Sequence, residues 1–218
     1  MAVAVARQTT GLLSSLTRVK GILFTGPSGS GKTTLLGMVK DRFNDTTGLI
    51  STTTRPPRDS DLPDEYEYLI KTGESPEEVF ETLHFLKDFV WSMRFGDHYY
   101  GTRKSVFLQA LHGSKIFVTH VRAKTLVSDF LNEGQYLQEG IILPINIVPP
   151  PREIVRQRIL NFGSPSEEEV EARLNRDEEV AREISSVRLR LIEQGVVFPE
   201  INNSGTVPDL FQQFLDVL

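Results

Sequence analysis

The sequence contains no cysteine among its 218 residues, which excludes disulfide bonds, thiolate nucleophiles and cysteine-ligated metals. It also lacks any apolar run of the ~18 residues that a membrane-spanning helix needs, so no membrane partner is expected. Basic residues do not predominate, because 24 Lys and Arg stand against 29 Asp and Glu and give a net charge of −5. Without a broad basic face, nucleic acid is not an expected partner, although local cationic clusters can still bind small anions.

The N-terminal segment 1–19 is predicted to be a tail ahead of the first strand. Arg7 interrupts its short apolar stretch, which argues against a secretory signal. No Asp or Glu occurs before Asp41, a composition that resembles a transit peptide. Whether the tail is a targeting segment therefore stays open.

Strand-like and helix-like segments alternate along the rest of the chain. Hydrophobic residues make up 39% of it, enough for a folded core. The apolar patterns predict strands at 21–25, 65–69, 115–118, 141–148 and 196–198, helices at 33–43, 76–88, 166–194 and 208–218, and a loop at 51–63. This alternation predicts an α/β fold with a mainly parallel core sheet flanked by helices.

Residues 26–33 read G-P-S-G-S-G-K-T and match the phosphate-loop pattern G-x-x-x-x-G-K-[ST] between a predicted strand and a predicted helix. Glycines let the backbone N–H groups turn inward around a phosphate, and the helix N-terminus adds its positive dipole end. Lys32 would reach the β- and γ-phosphates, and the Thr33 hydroxyl would bind Mg²⁺. The predicted triphosphate-binding residues are Gly26, Ser28, Gly29, Ser30, Gly31, Lys32, Thr33 and Thr34.

A second candidate anion site lies in residues 51–58, which read S-T-T-T-R-P-P-R. Arg55 and Arg58 stand three residues apart in a loop stiffened by two prolines. Guanidinium groups bind phosphate oxygens with fork geometry, and a stiff loop loses less entropy on binding.

These motifs together resemble the guanylate kinase family. The S-x-T-T-R-x-P-R pattern, Tyr66 within E-Y-E-Y, the Y-Y-G-T segment at 99–102 and the proline-led segment from 149 match that family, and the resemblance extends from Lys20 onward. It implies an ATP-dependent nucleoside monophosphate kinase. Residues 20–50 and 105–218 would form the P-loop core, with a lid at about 150–175, and residues 51–104 a small acceptor-binding lobe.

The resemblance also implies residue roles. Phosphoryl transfer brings two anions into line, and cations offset their repulsion. The implied catalytic cations are Lys32, Arg55, Arg158 and Arg173, the last two from the lid and the following helix. The implied acceptor-binding residues are Ser51, Arg55, Arg58, Tyr66, Tyr100 and Thr102. The expected partners are ATP and a small phosphorylated acceptor, with Mg²⁺ as cofactor, in the cytosol; the oligomeric state is not predicted.

Three departures from the family pattern bear on the acceptor. Trp91 stands nine residues before Tyr100, where the family has a glutamate that reads the guanine edge. A carboxylate accepts from guanine N–H groups, whereas an indole only donates or stacks. Thr119-His120-Val121 replaces a segment with aspartates, and Asn161-Phe162-Gly163 replaces an expected Arg-Gly pair.

Three functions therefore stay open. The first is a guanylate kinase-like enzyme that phosphorylates GMP. The second is a kinase for a sugar phosphate such as ribose 1,5-bisphosphate, because Val121-Arg122-Ala123 is similar to a segment of that subgroup. The third is a catalytically weak guanylate-kinase-like binding module, against which the intact phosphate loop argues.

Overall fold

The structure is a computed structural model that describes residues 18–58, 61, 65–69, 75–131, 135–161 and 166–218. The predicted tail therefore lies outside the described residues, apart from its last two positions, and so does Phe162. In the described part of the chain, no helix is both long and apolar enough to cross a bilayer.

The core is a five-stranded sheet in which every pair of neighbouring strands runs parallel. Its strands are β1 (Gly21–Thr25), β2 (Thr46–Gly48), β7 (Ile116–His120), β8 (Ile142–Val148) and β9 (Glu200–Asn202), in the order β2-β7-β1-β8-β9. The central β1 is buried along its whole length. The predicted α/β fold with a mainly parallel sheet is confirmed.

Helices cover both faces of this sheet because the strand side chains alternate between two apolar layers. Ile22 and Phe24 of β1 pack with α1 (Lys32–Arg42) and α7 (Val207–Asp216). Leu23 belongs to the opposite layer, which is covered by α3 (Lys104–His112), by α4 (Ala123–Thr125) with the π-helical turn Leu126–Leu131, and by α6 (Glu167–Glu193). The helix α5 (Arg152–Asn161) packs through Val155 and Ile159 on the first part of α6.

A second, four-stranded sheet comes from the middle of the chain. It contains β3 (Ser51–Thr53), β4 (Tyr66–Tyr68), β5 (Phe89–Phe95) and β6 (His98–Arg103) in the order β4-β3-β6-β5, with α2 (Pro76–Phe85) packed against β5 and β6. The division into core, acceptor lobe and lid stays a prediction, since it concerns function as well as strand order.

The predicted loop at 51–63 is wrong at its start, because residues 51–53 form β3. Those three polar residues do not alternate, and they become a strand only because β4 and β6 offer hydrogen bonds on both sides. The β5–β6 hairpin and α3 were not predicted.

The predicted strand at 196–198 is also wrong. Val196 and Phe198 are buried by packing on α6, and pairing with β8 begins only at Glu200, opposite Asn146. The long predicted helix is observed as α6, where Ser166 and Glu169 form a capping box. Within α6, Val170, Leu174, Ile184, Val187 and Leu191 are buried, whereas Ala181 is exposed.

We expect Phe214→Ala to lower the free energy of unfolding by about 3–5 kcal/mol, because it leaves a cavity beneath β1. Phe214 is fully buried, and its ring meets the edge of Phe24 with 5.8 Å between ring centroids. Phe85→Ala is the matched control, since the Phe85 side chain is 84% exposed, and it should change stability by less than about 0.5 kcal/mol. Urea unfolding followed by circular dichroism measures both; equal losses would contradict this packing.

Candidate active site

The phosphate loop connects β1 to α1 and has a backbone that requires glycine. Gly26 and Gly31 have φ values of +148° and +97°, which side-chain-bearing residues rarely adopt. A Cβ atom on Gly26 would lie 2.4 Å from the Ile147 carbonyl oxygen. The buried Asn203, which directly follows β9, donates through Nδ2 to the Ser30 carbonyl oxygen at 2.8 Å. This hydrogen bond helps to hold the loop in its conformation.

Lys32 is the first residue of α1, and its side chain folds back over the loop. Its ammonium group donates to the carbonyl oxygens of Gly26 at 2.8 Å and Pro27 at 2.6 Å. Burial lowers the pKa of Lys32 to about 8, although the charge of Asp177 opposes the shift. Thr33 and Thr34 are exposed at the start of the helix, where a bound phosphate could reach them.

Two side chains from the α5–α6 region reach the same loop. Arg158 donates through Nη1 to the Gly29 carbonyl oxygen at 3.1 Å. The Ser28 backbone N–H donates to Oδ1 of Asp177 at 2.8 Å. Arg173 lies one helical turn before Asp177, hence on the same side of α6, and the described residues show no hydrogen bond or ion pair to it.

Four predicted acceptor residues lie on one face of the second sheet. Register places Ser51 beside Tyr66, and Thr53 opposite Tyr100. The hydroxyl oxygens of Ser51 and Thr102 are 3.4 Å apart and buried, and the rings of Tyr66 and Tyr100 meet edge to face with 6.3 Å between centroids. The structure therefore brings Ser51, Tyr66, Tyr100 and Thr102 together.

Arg55 lies beside this face and is only 4% exposed. Its guanidinium group donates to Asp61 at 2.8 Å and lies 5.0 Å from the centroid of the Tyr66 ring. Burial alone would raise the pKa of Asp61, but hydrogen bonds from Arg55, Tyr68 and the Arg58 backbone outweigh it and lower that pKa. The Arg58 residue is exposed and contributes a backbone N–H to Asp61, so its side chain is not part of the buried cluster.

His120 lies close to both the phosphate loop and the cluster of Arg55 and Tyr66. It ends β7, next to β1, and its Nε2 lies 3.4 Å from the Tyr66 hydroxyl. Its Nδ1 is 3.7 Å from the Glu65 carboxylate, whose side chain is 9% exposed. Burial first, then the charges of Lys32 and Arg55, lower the pKa of His120 to about 4, so the imidazole is neutral at pH 7. His120 is therefore close enough to be influenced by the charges of both Lys32 in the phosphate loop and Arg55.

Trp91 and residues of the Thr119-His120-Val121 segment, which depart from the expected family pattern, belong to the buried core. Trp91 is 4% exposed and Val121 5% exposed, and both belong to the layer formed with α3 and α6. Thr119 is buried as well. Arg122, next in the chain, donates to Glu183 of α6 at 2.8 Å and so takes part in an ion pair.

Sequence reasoning missed three acidic residues at the cleft. Asp61 lies six residues after Arg55 in the same loop, and that proximity was a usable signal. Glu65 directly precedes the predicted Tyr66. Asp177 lies 149 residues from Ser28, and no local pattern distinguishes it from the other acids of α6.

No protein-family model matches the chain. Among curated proteins, a guanylate kinase of Nostoc sp. is 32% identical over 163 residues, covering 73% of this chain and 75% of that protein. A guanylate kinase of Caldanaerobacter subterraneus subsp. tengcongensis is 34% identical over 149 residues, covering 68% of this chain and 67% of that protein. This chain belongs to the guanylate kinase family. It is therefore a nucleotide kinase, with the kinase, transferase and ATP-binding character of that family.

A solved structure supports the fold of this family member. The crystal structure of guanylate kinase from Anaplasma phagocytophilum matches with a TM-score of 0.57 and 15% identity, covering 91% of this chain and 83% of that one. At this identity the likeness concerns the fold alone.

The pKa of Lys32 predicts an alkaline limit for this family member. As pH rises through about 8, the free enzyme loses the ammonium group, so kcat/KM for ATP should fall at high pH. Bound phosphates favour the charged form, so kcat should stay level to higher pH. Initial rates between pH 6 and 10 with saturating acceptor measure both; a kcat/KM that stays level up to pH 10 would contradict the shift.

Proposed function

We propose that the chain transfers the γ-phosphoryl group of ATP to a nucleoside monophosphate, with GMP as the first acceptor to test. The single observation behind this proposal is the 3.4 Å contact between Tyr66 and His120, since it brings the phosphate loop and the Arg55 cluster to one cleft. Because the proposed reaction consumes ATP, we place it in the cytosol. The curated relatives named above carry the name guanylate kinase, which supports this acceptor.

On the donor side, the loop N–H groups and Lys32 would bind the triphosphate. Mg²⁺ fits this site only as an ion that arrives with ATP. The described residues hold no cluster of three His, Cys, Asp or Glu side chains that could bind a metal by itself, whereas the exposed Thr33 could add one hydroxyl to phosphate and water oxygens. When bound there, Mg²⁺ would neutralise charge on the phosphates.

On the acceptor side, Arg55 and the hydroxyls of Tyr66 and Tyr100 would bind the acceptor phosphate. Tyr66 is suited to donate a hydrogen bond, because burial and the neighbouring Glu65 raise its pKa and keep it protonated. Ser51 and Thr102 would contact the base or the phosphate. Arg58 could join only by turning in from solvent.

The cations of α5 and α6 would offset the charge that builds up between donor and acceptor. Arg158 already contacts the loop at Gly29, and Arg173 lies four residues before Asp177, the residue of α6 that contacts the loop. Preorganised cations of this kind stabilise the transition state, in which the phosphoryl group lies between the leaving oxygen of the donor and the attacking oxygen of the acceptor.

A second candidate is a kinase for a sugar phosphate such as ribose 1,5-bisphosphate. The observation in its favour is the burial of Trp91 in the apolar layer, at the position where a carboxylate is expected to accept from guanine N–H groups. An acceptor without a base would not need that carboxylate.

The test is ADP release with ATP and Mg²⁺ against GMP, dGMP, AMP, UMP and ribose 1,5-bisphosphate. We expect the highest kcat/KM with GMP, and a preference for ribose 1,5-bisphosphate would select the second candidate. The Lys32→Ala variant should keep its circular dichroism spectrum and lose turnover with every acceptor. Turnover that survives in this variant would show that the phosphate loop is not the donor site, and a chain that turns over no acceptor would contradict the proposal.

Arg55→Lys tests the acceptor site while keeping the charge beside Asp61. Lysine lacks the planar fork, so at least one charge-assisted hydrogen bond to the acceptor phosphate is lost. We expect the acceptor KM to rise about 10- to 100-fold, with KM for ATP changed by less than about twofold. Arg94→Ala, which removes a 62% exposed arginine from the same sheet, is the control and should leave both constants unchanged. Equal weakening of both substrates by Arg55→Lys would contradict two separate sites.

A further inference from the structure

The carboxylate of Asp177 occupies an anion position in the phosphate loop. It accepts the backbone N–H of Ser28 at 2.8 Å, although the two residues are 149 positions apart and belong to different elements. Backbone N–H groups of such a loop are the donors that bind phosphate oxygens. One N–H cannot hold a carboxylate and a phosphate oxygen at the same time.

The surroundings of Asp177 show that it is not simply one half of an ion pair. In the described part of the chain it forms no salt bridge, because the Lys32 ammonium is turned toward the carbonyl oxygens of Gly26 and Pro27. Its second oxygen, Oδ2, is buried without a hydrogen-bond partner among the described residues. Asp177 therefore contacts Ser28 of the loop directly, through its backbone N–H at 2.8 Å and also through its side chain.

The rest of α6 holds this carboxylate in place. Arg152 of α5 pairs with Glu171 at 2.9 Å and with Glu178 at 2.6 Å, six residues before and one residue after Asp177. Val170 and Leu174 are buried against α5. Displacing Asp177 from the loop therefore means moving its side chain, or shifting α5 and α6 as a unit.

We propose that Asp177 is an internal anion that competes with the donor nucleotide for the phosphate loop. The proposal rests on the donor site assigned above. In the free protein the carboxylate holds α6 against the loop, and a phosphate group must replace it before it can bind. The apparent affinity for the nucleotide is reduced by the fraction of molecules in which Ser28 is occupied. Nucleotide binding then releases α6 from this contact.

The test is equilibrium binding of ADP and of inorganic tripolyphosphate to Asp177→Asn, by titration calorimetry without acceptor, with and without Mg²⁺. The variant keeps the side-chain shape and removes the charge, so both ligands should bind about 3- to 10-fold more tightly under both conditions. Asp177→Ala, which also removes the accepting oxygen, should bind at least as tightly. Glu179→Gln removes an equal charge from an exposed position of α6 and should change Kd by less than about twofold.

Unchanged affinity in both Asp177 variants would overturn the proposal. Weaker binding that appears only with Mg²⁺ would also overturn it, because Asp177 would then assist the metal instead of excluding the phosphate. If neither the unaltered protein nor any variant bound ADP, both this inference and the donor site of the proposed function would be wrong. Binding of ADP by the unaltered protein with no gain in the variants would leave the proposed function standing and remove this inference alone.

Discussion

The site depends on positive and hydrogen-bond-donating groups withdrawn from water, each of which needs an oxygen partner. In this structure the chain supplies those oxygens itself. Asp61 pairs with Arg55, carbonyl oxygens of the loop hold Lys32, and Asp177 accepts from Ser28. A phosphate is a stronger acceptor than a carbonyl oxygen and carries more charge than one carboxylate. Under the proposed function, substrate binding would exchange these internal oxygens for phosphate oxygens.

The two sheets give this exchange its geometry. In the parallel core sheet, the phosphate loop and His120 follow the carboxyl ends of neighbouring strands and so reach the same edge, which is where ligands bind in open α/β sheets. The second sheet presents Tyr66 to His120 and Arg55 to the same cleft. A neutral imidazole at this meeting point adds no further positive charge between Lys32 and Arg55.

The second sheet, the proposed acceptor lobe, combines the polar face of Ser51, Tyr66, Tyr100 and Thr102 with an apolar side at Trp91. Trp91 joins the core layer that includes Val121 and Phe107 of α3, so this part of the second sheet is held by packing. A site that hydrogen-bonds a substrate N–H rejects analogues that lack it, whereas an apolar surface discriminates weakly. Under the proposed function, acceptor selectivity would therefore depend on shape and phosphate contacts more than on reading a base edge.

The sequence alone determined the features that depend on local pattern. The phosphate loop needs glycines at set positions because of its backbone angles, β1 and β8 are rich in apolar residues, and α6 begins at a capping box. Arg55, Tyr66 and Tyr100 were also predicted, because they lie in short motifs.

Only the tertiary structure decided the contacts made between distant segments. Ser51–Thr53 is a strand because two neighbours supply its hydrogen bonds, and Trp91 is core because α3 and α6 bury it. Asp177 meets Ser28 only because α6 folds back over the loop. Hydrogen bonding and burial between residues far apart in the chain leave no periodic trace in the sequence, so these features needed the coordinates.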